Sequence, residues 1–337
     1  MTAHPPSPAL FFDTINAYQK TESLRTAIEL DLFTKIAEGR RTATEIAEAC
    51  QASPRGIRIL ADSLTINGFL TKHEDRYELT PDTNVFLNRH SPAFVGGTLD
   101  FLLTPEIRDS FSHLTAAVRR GGTAISNEGT VSYDNPVWVA FARAMGPMMQ
   151  MPAQLLAGLV GGDRQQPLRV LDVAAGHGIF GITIAQQYPQ SRITALDWSN
   201  VLTVATENAV RAGVSDRHSL IPGSAFDVDW GGPYDVVLLT NFLHHFDQPT
   251  CDKLAAKAFA ATAPGGKTIT LEFIPEPDRI HPPSTAGFAL TMLATTAHGD
   301  AYTFAEYEHL FEHAGFGRSE FHSLLPTNQQ AVVSFKS

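Results

Sequence analysis

Beyond Pro167, short β-branched apolar runs alternate with amphipathic stretches, the pattern of a mostly parallel sheet with helices on both faces. Arg169–Val173 reads as a buried parallel strand. Further strands are expected at Arg192–Leu196, His218–Pro222, Pro233–Leu239 and Lys267–Phe273. Between them, Ile179–Gln187, Val201–Ala212 and Cys251–Thr262 carry helical spacing. Phe304–Gly315 is an amphipathic helix with Gly315 as its C-cap, and Phe321–Leu325 with Ala331–Phe335 reads as a closing antiparallel hairpin.

The N-terminal third shows only helical periodicity at first. Phe11–Gly39 places Ile15, Leu24, Ile28 and Leu32 near one face. Thr42–Leu70 then reads helix, turn, helix, with Thr44 capping the first helix and Ser53-Pro54 starting the second. Ile57, Leu60, Ala61 and Leu64 stripe that second helix, Gly68 ends it, and Phe69–Thr71 with Arg76–Leu79 forms a small wing. This is a winged-helix pattern. Asn135–Val160 is Met-rich, with Phe141, Met145, Met148 and Met149 at helical spacing. The stripe either lines a pocket for a flat apolar ligand or packs a linking helix into the core.

The stretch from Leu168 to Asp197 carries the candidate chemistry. Strand, small-residue turn Ala174–Gly178, helix, strand and acid follow in that order, so free N–H groups of the helix should face the turn. Gly176–Gly181 fits G-x-G-x-x-G, and Asp197 stands where an acid accepts hydrogen bonds from a ribose diol. Ligands of such sheets bind beyond the carboxyl ends of the strands, where Gly176, Asp197, Gly223–Phe226 and His244 all fall.

Composition narrows the class. The chain has 337 residues, enough for two domains, and 43% apolar with 18% charged residues suits a globular protein. A net charge of -10 disfavours a nucleic-acid surface, and no apolar run is long enough for a membrane span. Two cysteines, Cys50 and Cys251, offer no disulfide framework, and the start shows no signal peptide, so a cytoplasmic protein is expected. His298, beside Gly299, and the i, i+4 pair His309 and His313 read as solvated, so no metal is expected.

Taken together, the winged-helix start, the Met-rich linking helix, LDVAAGHG, Asp197, LHHFD, PGGKTITLEF and GDAYTFAEYEHLFEHAGF resemble one family. It is the S-adenosylmethionine (SAM)-dependent small-molecule O-methyltransferases of the plant caffeate and bacterial polyketide-tailoring type. The resemblance covers nearly the whole chain. It implies an α/β fold: a Rossmann-like class I methyltransferase domain with a mainly α-helical winged-helix dimerisation domain. The expected bounds are 1–105 for the dimerisation domain, 106–160 for linking helices and 161–337 for the cofactor domain. A homodimer and a small, aromatic substrate are implied.

Carried over by residue, Asp172, Ala174, Gly176 and Gly178 would pass the methionine part of SAM, Asp197 its ribose, and Trp198 its adenine. Ser224, Ala225 and Phe226 stand where the family has Asp-Met-Phe, with Thr240 beside them. His244 occupies the general-base position and Glu272 that of one framing acid; the second maps to Ala301, next to Asp300. Phe141, Met145, Met148, His245 and Met292 would line the substrate. Adjacent residues on a helix point about 100° apart, so only one of His244 and His245 should face the crevice. Methyl transfer to carbon or nitrogen, another SAM-using reaction on the same fold, or a winged-helix metabolite-sensing transcription factor are the alternative readings.

Overall fold

The computed structural model describes residues 6–126, 129 and 137–337, and its contacts divide the chain into compact units Met1–Leu99 and Asp100–Ser337. Helices Pro105–Ser112, Leu114–Arg120 and Val137–Val160 therefore belong to the second unit. Residues 135 and 136, at the start of the expected linking helix, lie outside the described residues.

In the first unit the single long helical span is broken into Ala9–Ile15, Ala17–Glu29 and Leu32–Ala37. Asp31 interrupts the chain there with a φ of 57°. Thr42, and not Thr44, caps the next helix, Ala43–Ala49. Its hydroxyl accepts from the Glu45 N–H while the Glu45 carboxylate accepts from the Thr42 N–H, a reciprocal pair that T-x-x-E at 42–45 encodes. Helix Pro54–Ile66 starts at Ser53 as expected and buries Ile57, Ala61 and Leu64. The wing pairs β1 (Leu70–His73) with β2 (Arg76–Leu79) antiparallel. Tyr77 on β2 is 1% exposed, and its hydroxyl donates to Asp62 at 2.8 Å. Leu10, Phe11, Phe12, Ile15 and Tyr18 remain exposed on this unit.

The second unit is built on seven strands: β3 (Arg169–Val173), β4 (Arg192–Asp197), β5 (His218–Pro222), β6 (Tyr234–Thr240), β7 (Thr262–Glu272), β8 (Arg318–Ser323) and β9 (Gln330–Phe335). Their order is β5-β4-β3-β6-β7-β9-β8, with β3 to β7 parallel and the β8–β9 hairpin antiparallel. Alternate residues of the central strands feed two cores. Val170, Val236, Leu238 and Ile269 pack with helices Val137–Val160 and Ile179–Gln187. Leu171, Val173, Val237 and Leu239 pack with helices Gln248–Ala261 and Phe304–Ala314. Met145 and Met149 are buried in the first core, with Met148 packed against it, so the Met stripe builds the sheet face.

The largest shifts of strand boundary are at the starts of β7 and β8. The expected Pro264–Gly266 turn lies inside β7, where the pairing steps from Tyr234↔Thr262 to Val236↔Lys267 and the intervening residues bulge out. Strand β8 starts at Arg318, earlier than its apolar residues indicated. The crossovers diverge at β3, which has β4 on one side and β6 on the other. A crevice opens at that switch point.

Candidate active site

The turn after β3 is held in the left-handed region at Ala174 (φ 52°), Gly176 (57°) and Gly178 (71°). The Gly176 N–H donates to Asp197 Oδ2 at 2.8 Å, and the Trp198 N–H to Asp197 Oδ1 at 2.7 Å. Burial pushes the Asp197 carboxyl up to about 6, against those two bonds. Asp197, Ala174, Gly176 and Trp198 line a cavity of about 220 Å³.

Two N–H groups in the first turn of the helix that follows are taken up by side chains. The Ile179 N–H donates to His177 Nδ1 at 3.2 Å, and the Gly181 N–H to Asp172 Oδ2 at 3.0 Å. Asp172 is thereby withdrawn from the cavity wall. It is fully buried under the helix, its Oδ1 has no partner among the described residues, and burial pushes it up to about 7. Gly178 is also outside the wall. A Cβ there would meet Ala205 Cβ at 2.9 Å, so this glycine serves packing against helix Ser199–Arg211.

Ser224, Ala225 and Phe226 form a second side of the cavity, with Thr240 at the end of β6. Ser224 Oγ is engaged by the Phe226 N–H at 3.2 Å. Lys257 Nζ donates to the carbonyls of Ala225 (2.7 Å), Phe226 (2.9 Å) and Val228 (2.9 Å), which ties this turn to helix Gln248–Ala261. Asn241, at φ 52°, follows Thr240 in the wall, and its side chain is bonded by Gln329.

Glu272, fully buried at the end of β7, gathers three donors. Its Oε1 accepts from the N–H groups of Phe242 (3.0 Å) and Leu243 (2.9 Å), and its Oε2 is hydrogen-bonded to His244 Nδ1. The His244 ring is buried against Phe288, with centroids 4.8 Å apart. His245 lines this cavity and His244 and Glu272 do not, the two imidazole centroids being 4.2 Å apart. Burial, and secondarily His244, hold His245 well below the usual imidazole range.

Asp300 does not replace the acid missing at Ala301. Its N–H donates to the His244 carbonyl at 3.0 Å, but its carboxylate faces Arg279 at 3.5 Å. Tyr302 completes this strap by donating to the Phe246 carbonyl at 2.6 Å.

Of the apolar residues assigned to the substrate, only Phe141 reaches the wall; Met145, Met148 and Met292 do not. Phe141 meets Trp138 and Phe101 edge-to-face at 5.6 and 5.0 Å and lies nearly parallel to His177. Trp138, His177, Asn241, Phe242 and Phe246 are wall residues the sequence reading passed over. Trp138 was detectable as the i−3 neighbour of Phe141, whereas His177 was hidden as a variable position of the glycine motif. His298 is exposed, and among the described residues neither it nor His309 and His313 belongs to a cluster able to share an ion.

A family model for an O-methyltransferase domain matches residues 111–317, and one for an O-methyltransferase dimerisation domain matches residues 12–89. A crystal structure of a candidate O-methyltransferase from Nostoc punctiforme is 52% identical, with a TM-score of 0.94, over 99% of this chain and 100% of that one. The 3-hydroxy-5-methyl-1-naphthoate 3-O-methyltransferase of Streptomyces sahachiroi is 27% identical over 91% of this chain and 89% of its own length. Human N-acetylserotonin methyltransferase, solved with SAM, shares the fold at 22% identity and a TM-score of 0.85, over 100% of this chain and 99% of its own. Two family models in chain order and a close structural relative leave one assignment: the chain belongs to the SAM-dependent O-methyltransferase family.

Proposed function

We propose that the chain methylates a hydroxyl of a small aromatic metabolite, with His244 as the base that receives the hydroxyl proton. The observation that carries this reading is the buried His244–Glu272 pair. Aromatic substrates are supported by the naphthoate-methylating relative and by the Trp138, Phe141, Phe242 and Phe246 rings of the wall.

The residues present fit SAM. An ionised carboxylate has about four lone-pair sites. Asp197 spends two on backbone N–H groups and keeps capacity for a ribose diol. The faces of Trp198 and Phe226 suit an adenine. SAM supplies an activated methyl group on sulfur.

The protein's part is alignment and proton removal. Glu272 takes the Nδ1 proton side of His244, so Nε2 carries the acceptor lone pair. A phenol near pKa 10 and an imidazole near 6.5 make proton transfer before displacement uphill by about 5 kcal/mol. Proton removal must therefore accompany attack of the oxygen. Glu272 then faces the imidazolium and stabilises it.

The match to a dimerisation domain and the exposed Leu10, Phe11 and Phe12 support a homodimer. Among the described residues no helix is long and apolar enough to cross a membrane, and the two cysteines are unpaired, which supports a cytoplasmic location.

The test presents methyl-labelled SAM with a panel of phenols and hydroxynaphthoates. The label is expected on oxygen, and His244→Ala should lose roughly 10²–10⁴-fold in rate while still binding S-adenosylhomocysteine. Label on carbon or nitrogen, or an unchanged rate, would overturn the reading.

A further inference from the structure

We propose that His177 is a neutral hydrogen-bond donor of the cavity, its Nε2–H binding the carboxylate of the cofactor's amino-acid tail. The proposal rests on the reading that the cavity holds SAM.

The tautomer follows from geometry. The Ile179 N–H points at Nδ1 from 3.2 Å, so Nδ1 must offer a lone pair and the single proton of the neutral ring sits on Nε2. Protonating Nδ1 would set one N–H against another, and burial already holds this imidazole down to about 4. The ring is also fixed in place. Phe141 lies nearly parallel to it, Phe180 tilts against it at 5.7 Å, and the Asn208 amide donates to the His177 carbonyl at 2.8 Å.

His177 is only 3% exposed yet lines the wall, and its ring hydrogen bond is made through Nδ1, which leaves Nε2–H as the donor the ring can offer the cavity. The Ile179 N–H, the first of helix Ile179–Gln187, is spent on the imidazole, so the ring extends the positive end of the helix by one side chain.

The need for such a donor comes from the rest of the wall. Among the described residues it contains no lysine or arginine, and its one charged group is the carboxylate of Asp197. A cofactor carboxylate entering this apolar space requires hydrogen-bond donors, because an unpaired buried charge is strongly unfavourable. The Ala174–Gly178 turn is where the methionine part is expected, and His177 is the side-chain donor on that turn.

Calorimetry with two ligands tests the assignment. S-adenosylhomocysteine carries the amino-acid tail, whereas 5′-methylthioadenosine has the same nucleoside and sulfur without it. His177→Phe keeps an aromatic ring but no donor and should weaken S-adenosylhomocysteine by about 10–100-fold, leaving methylthioadenosine within about twofold. His177→Gln, with an amide donor near the Nε2 position, should recover most of the loss. The readout is the ratio of the two affinities within each variant, so a smaller folded fraction cancels. An unchanged ratio in His177→Phe overturns the proposal, whether both ligands weaken together or neither does. Failure of the wild type to bind either ligand would instead overturn the cofactor assignment of the cavity.

Discussion

Asp197 ends β4 with its carboxyl pushed up to about 6 by burial, so in the free protein its charge is complete only above that value. A ribose diol donates to the ionised form. The dissociation constant for S-adenosylhomocysteine should therefore be flat above about pH 7 and rise about tenfold per unit below about pH 6. Asp197→Asn should bind weakly with no such slope; a wild-type affinity constant down to pH 5 would show that the diol is held elsewhere. Asp172 acts on folding. With its carboxyl at about 7 in the native state and near 4 in the unfolded chain, the native state holds a proton that the unfolded chain has released. Stability should thus fall as pH rises from about 4 to 7 and level off above. Asp172→Asn retains an acceptor for the Gly181 N–H and should flatten this slope, melting about 3 °C or more above wild type at pH 8. Equal pH profiles in thermal melts would count against a protonated Asp172.

The Phe242–Phe246 turn depends on one buried carboxylate for both its shape and its histidine tautomer. Glu272→Gln can still accept the Phe242 and Leu243 N–H groups, but its amide would confront the His244 Nδ1 proton and reverse the tautomer. The expected result is a kcat lowered by roughly 10²–10⁴-fold, with S-adenosylhomocysteine affinity and melting temperature close to wild type. Loss of binding together with activity would make Glu272 structural only. The strands were legible because short apolar runs such as Arg169–Val173 have little alternative, and the helix starts at Ser53 and Ile179 were signalled by Pro or Gly. The site was legible in its backbone parts, Ala174–Gly176, Asp197 and Ser224–Phe226, because a turn motif constrains local geometry. Side-chain direction was not. Whether His244 or His245 meets the cavity depends on Glu272, 28 residues from His244 in sequence. Nor did helical spacing reveal that Phe141 reaches the wall while Met145 and Met148 fill the core, since a helix buried on several sides carries apolar residues on all of them.

At the scale of the whole molecule, exposed Leu10, Phe11, Phe12 and Ile15 are more apolar surface than a solitary helix end needs. Phe11→Asp with Phe12→Asp should convert a dimer to monomer in sedimentation equilibrium without lowering the melting point of the Asp100–Ser337 unit. A wild-type monomer at micromolar concentration would remove the dimer from the account. The order of the sheet has a separate consequence. Strand β9 lies between β7 and β8, and Gln329, just before it, bonds to Asn241 of the cavity wall. During translation β7 must wait for the chain that follows, its edge carrying unpaired N–H and C=O groups. A pause by the ribosome between residues 272 and 330 would leave a half-built sheet open to pairing with a neighbouring nascent chain, so chaperone demand and inclusion-body formation should track codon speed in that interval.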